Sequence, residues 1–196
     1  MTAPPPSPSA PADPRGFPRW RVYAAVAVAL IAVVGVIVGA RIVSNRPDRS
    51  VDDPLLLAGV QAPGATTPAC AALVAALPAE LGGLPRRQIE HGDDPSLTGA
   101  AAWGEPPVVL RCGIPTPAEL TCTAAVQEVD GVAWLPLSTG GDTTYFVVDR
   151  SVRVALTVPG EVTSTGPWQD ASTLIAATLP KRDICLGGVP QPADGE

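Results

Sequence analysis

The chain has 196 residues, room for one ordinary domain with attachments. Charged residues are 16%, below the roughly 25% of globular chains, while 24 residues are Pro and 19 are Gly. A net charge of −6 on so few bases does not suit nucleic acid. A single histidine, His91, excludes His-paired catalytic and metal arrangements.

Residues 1–21 open the chain with seven prolines before position 20 and almost nothing to bury. They read as a disordered, partly polyproline-II cytoplasmic tail, with a Pro-directed docking ligand as the alternative. Residues 22–43 read as a transmembrane helix. Within them, residues 22–40 carry no charge over 19 positions, enough at about 1.5 Å per residue for a hydrocarbon core of about 30 Å. Trp20 and Tyr23 sit at its N-terminal edge, where aromatic rings favour headgroups. The run exceeds the apolar region of a cleaved signal peptide, about 7 to 15 residues, and Val38-Gly39-Ala40 is a weak cleavage site, so an uncleaved anchor is expected. No Cys stands directly after the run to accept a lipid, and Cys70 is too far away.

Arginines flank both ends and leave orientation nearly tied: Arg15, Arg19 and Arg21 before, Arg41, Arg46 and Arg49 after. The cysteines break the tie. Cys70, Cys112, Cys122 and Cys185 all follow the helix, and an even set suits disulfides in an oxidising compartment. Residues 1–49 carry +4 and residues 50–196 carry −10. The basic end suits an anionic inner leaflet and places the acidic domain outside.

Residues 44–66 read as a linker, residues 67–188 as the extracytoplasmic domain and residues 189–196 as a disordered tail. Thr67-Pro68 is an N-cap followed by a good first helical residue. Cys70, Leu73, Val74 and Leu77 then form one apolar helical stripe that Pro78 ends. Val108, Leu110 and Cys112 share one face of a strand. Leu120, Cys122, Ala124 and Val126 share one face of an expected second strand. Asp130-Gly131 signals a two-residue hairpin. Residues 143–148 continue the pattern, Asp149-Arg150-Ser151 is a turn, and Val152, Val154, Leu156 and Val158 alternate with Arg153, Ala155 and Thr157. Residues 169–179 close with a helix carrying Leu174, Ile175 and Thr178, ended by Pro180. The order gives an α+β fold: an antiparallel sheet with one buried face, flanked by two helices and braced by disulfides. Four cysteines allow three pairings. The strand assignments favour Cys112 with Cys122, which leaves Cys70 with Cys185. Zinc is the rival reading, without any C-x-x-C to support it.

The segment Trp103-Gly104-Glu105-Pro106-Pro107-Val108-Val109-Leu110-Arg111-Cys112-Gly113 resembles the signature of an uncharacterised actinobacterial family, domain of unknown function 3515. Residues 129–134 and the final Cys are similar too, and the likeness covers about residues 66–190. It implies a membrane-associated or exported protein and no activity.

Catalytic chemistry finds little support. There is no G-x-S-x-G and no phosphate loop. Glu90-His91-Gly92-Asp93-Asp94 is the best metal or acid/base candidate, and a hydrated polar loop is the preferred reading of it. No metal and no cofactor are expected. In the signature segment, Trp103 beside a projecting Arg111 suits a carboxylate or a sugar face. The competing reading buries Trp103 and gives Arg111 a structural ion pair with Glu105 or Asp149. The expected function is therefore a non-catalytic envelope protein that binds a partner protein or wall component. A small envelope hydrolase or transferase using carboxylates is the alternative. A structural accessory of a membrane complex, packing through Gly35 and Gly39, is a further one.

Overall fold

The computed structural model describes residues 19–44 and 53–193. The tail before residue 19, the middle of the expected linker and residues 194–196 lie outside the described residues. The chain divides into two units between Asp48 and Arg49.

The first unit carries helix α1 (Arg19–Ser44) over the apolar run. Its described side chains are all exposed, Tyr23, Ile31 and Val36 by about 70%. Among the described residues no helix is long and apolar enough to cross a membrane.

The second unit is α+β. Its strands are β1 (Leu55–Leu56), β2 (Glu80–Leu81), β3 (Leu84–Arg87), β4 (Ile89–Glu90), β5 (Ala100–Trp103), β6 (Val108–Cys112), β7 (Gln127–Val129), β8 (Val132–Thr139), β9 (Asp142–Val147), β10 (Val154–Val158), β11 (Cys185–Leu186) and β12 (Val189–Pro190). Eight of them form one antiparallel sheet in the order β2-β3-β5-β6-β10-β9-β8-β7. Asp130-Gly131 makes the expected hairpin turn between β7 and β8, both residues at positive φ (49° and 74°) as a type I′ turn demands.

Helices α2 (Pro68–Ala76) and α3 (Gly166–Thr178) pack against each other and against one face of the sheet. Thr67 caps α2 as expected, its hydroxyl accepting from Cys70 N–H at 3.4 Å. The stripe residues Cys70, Leu73 and Leu77 meet Ile175 and Ala171 of α3 over Val108, Leu110, Trp134, Val154 and Leu156. Trp134 donates its indole N–H to Ser172 Oγ at 2.9 Å, which satisfies a polar atom inside that core.

The opposite face differs from expectation. Arg153 and Ala155, expected on an open face, are 2% and 5% exposed. A second cluster (Leu120, Ala133, Leu135 and Val148) covers that side, with Phe146, Leu137 and Ile184 packed on it. The cover is residues 113–126, expected in part as a strand and observed as loop and turns. Pro115 and Pro117 remove ladder donors, and turns close from Leu120 N–H to Pro117 O and from Ala124 N–H to Thr121 O. Of the expected strand face only Leu120 is buried, Ala124 is half-buried, and Cys122 and Val126 are exposed.

The expected cysteine pairing is corrected for the same reason. The bridges are Cys70–Cys112 and Cys122–Cys185, with Cα separations of 5.6 and 5.8 Å. Cys112 follows Val108 and Leu110 onto the helix face, where α2 brings Cys70. Cys122 sits in the covering loop, where it meets Cys185 of β11. Residues 53–66, expected as linker, are laid against this unit. β1 pairs in parallel with β4, Gly64 N–H donates to Gly113 O at 2.9 Å, and Ala65 is buried. Gly113 has φ +79°, and a Cβ there would stand 2.1 Å from the Gly64 carbonyl carbon. Val189-Pro190, expected in the tail, pairs with Cys185-Leu186.

Candidate functional site

Strand alternation sends Arg111 and Trp103 to opposite faces. Trp103 is fully buried on the helix face, its indole N–H donating to Pro78 O at 3.2 Å, with the Arg86 guanidinium 5.8 Å from its ring centre. It is a core residue, as the competing reading had it, and the alternative of a ligand contact through Trp103 is corrected. Arg111 reaches the outer face as expected. The ion pairs suggested for it are not formed: Glu105 pairs with Arg87, and Asp149 pairs with Arg150 and Lys181.

Arg111 instead holds backbone. Its Nη2 donates to Ala58 O at 2.8 Å, while Nη1 is buried with no hydrogen-bond partner. Burial pulls the guanidinium below its ordinary pKa, and the Asp94 carboxylate offsets part of that pull. Asp94 itself accepts from Ser96 N–H at 2.9 Å and caps the 3₁₀ turn Pro95–Gly99, and its bonds to Ser96 lower its pKa. The rest of the Glu90–Asp94 loop is exposed, and among the described residues no group of three His, Cys, Asp or Glu is placed to hold a metal.

Arg111 lines one end of a groove of about 570 Å³ on the outer face. Cross-strand register builds the floor. Arg111 pairs with Ala155, Ala155 with Phe146, Thr157 with Thr144, and Thr144 with Leu137. The floor thus crosses β6, β10, β9 and β8, three strand spacings or about 14 Å. Thr139 extends it at the far end of β8. Residues 114–119 and Val60-Gln61 form its walls. Glu119 is the one carboxylate among its lining residues. Alternation in the sequence places Thr144, Phe146, Ala155 and Thr157 on the outer face. The wall was not foreseen, because residues 113–126 do not follow a strand period.

The chain belongs to the family described as protein of unknown function (DUF3515), whose model matches residues 26–184. No curated protein and no solved structure matches it.

Proposed function

We propose, on the premise of that family and of the groove, that this chain is a single-pass, membrane-anchored envelope protein. Its extracytoplasmic domain is a non-catalytic binding module, and the groove is its binding surface. The observation that carries the proposal is the groove itself: a floor of Ala155, Phe146 and Leu137 interleaved with Thr139, Thr144 and Thr157, one guanidinium at one end, and a single carboxylate in the lining. Clefts of this size, mostly apolar with a few placed polar groups, are the common form of a small-molecule site. Glycoside hydrolysis needs two carboxylates about 5 to 10 Å apart, and Glu119 has no such partner in the lining.

The anchor is supported by the uncharged run over residues 22–40 in α1, and the outside location by two disulfides with no free cysteine. A tag placed after Glu196 behind a specific protease site tests both. The full chain should stay with membranes through alkaline carbonate extraction, and added protease should release the tag from intact cells. Extraction into the soluble fraction, or a tag protected until lysis, contradicts the proposal.

A further inference from the structure

We propose that the groove takes a single-chain amphiphile with one anionic head, a carboxylate or a phosphate, seated at Arg111, its alkyl chain running over Ala155, Phe146 and Leu137 toward Thr139. The inference rests on the binding-module proposal and names its ligand class.

Charge selects the head. Arg111 is the one cation among the lining residues, and its Nη1 is buried without an acceptor while Nη2 is spent on Ala58 O. The Arg111 side chain is only half-buried and faces the groove, so an anionic oxygen seated at this end can give the guanidinium the acceptor that Nη1 lacks. Asp94 acts on Arg111 through space without a hydrogen bond to Nη1, and its carboxylate accepts from Ser96 N–H.

The floor selects the chain. Ala155, Phe146 and Leu137 are apolar. The hydroxyls of Thr144 and Thr157 lie 3.0 Å apart and bond each other, so one of their two protons is already taken. A glycan or an extended peptide would lay polar groups on Ala155, Phe146 and Leu137, whose side chains offer them no acceptor or donor. An alkyl chain brings none. The distance of about 14 Å from β6 to β8 matches a medium to long chain lying across the strands.

Residues 49–196 contain the whole sheet, α2, α3, both disulfides and both buried clusters, so this unit holds its own fold. It is titrated by calorimetry with octanoate, laurate, palmitate, dodecyl phosphate and lauryl alcohol, and with inorganic phosphate as the head alone. Laurate and dodecyl phosphate should bind at least tenfold more tightly than lauryl alcohol, and inorganic phosphate should bind far more weakly than either. Arg111→Gln should remove the preference for the anion. Thr139→Trp, at an exposed position, should weaken palmitate at least tenfold and leave octanoate unchanged. It keeps the proposal falsifiable if Arg111→Gln unfolds the strap held at Ala58.

Equal affinity for laurate and lauryl alcohol overturns the proposal, as does indifference of palmitate to Thr139→Trp. Binding seen only with anionic vesicles overturns it in favour of a lipid surface. No binding of any amphiphile also overturns it, while the membrane anchor and outside location stand or fall separately in the tag experiment.

Discussion

At the scale of single residues, Trp103 and Arg111 differ by one bit of strand parity and by everything that follows from it. Trp103 fills the helix-side core with its indole satisfied. Trp103→Ala should cost about 3–5 kcal/mol, read as a fall in the denaturant midpoint of residues 49–196. The Asp94 carboxylate has a folded pKa below its ordinary value of 3.8, because it bonds Ser96. A depressed carboxylate contributes stability that is present above the unfolded value and lost as pH falls through the folded one. Asp94→Asn keeps the capping oxygen and removes the charge. The difference in melting temperature between wild type and this variant should therefore shrink below about pH 4 and stay constant from there to neutrality. A difference that grows on acidification would contradict this. Parity in the sequence separates the two faces of β6, so the outward direction of Arg111 was legible. The burial of Trp103 was one of the two readings the signature segment allowed, and Gly104, Glu105 and Pro106 carry no periodic pattern that decides between them. The strap at Ala58 that occupies Nη2 was not legible, since nothing local to Arg111 points 53 residues away.

At the scale of elements, helix α2, the β7–β8 hairpin and α3 followed from caps, turn residues and stripes, which are local signals. The disulfide frame is not local, and it was misread because Cys122 was assigned to a strand. In the fold it sits in a proline-broken loop across the sheet from Cys70. Proteolysis without reductant, followed by mass analysis, should give peptides linking Cys70 to Cys112 and Cys122 to Cys185. A Cys112–Cys122 peptide would contradict the fold. The bridges close loops of 42 and 63 residues. In the chain-entropy model each contributes about 4 kcal/mol. Replacing Cys122 and Cys185 by Ser should lower stability by up to that amount, and it should also loosen residues 113–126, which wall the groove. Amide exchange in that loop should quicken in the double variant while the helix-side core stays protected. Uniform loosening of both would mean that the loop is not an independent cover.

At the scale of the whole molecule, the −6 of the chain is the sum of a basic end and an acidic domain, and the apolar excess is concentrated in α1. That division was legible because charge and apolar content are read directly from composition along the chain. The groove was not legible, because it arises where a sheet face expected to be open is partly roofed by an irregular loop. The central proposal is that this groove lies outside the membrane and is open to ligand. It is tested most directly by Thr139→Cys in the full chain, since the four native cysteines are bridged. A membrane-impermeant maleimide should label intact cells as fully as lysed ones, and laurate should slow that labelling. Labelling that appears only after lysis would contradict the proposal.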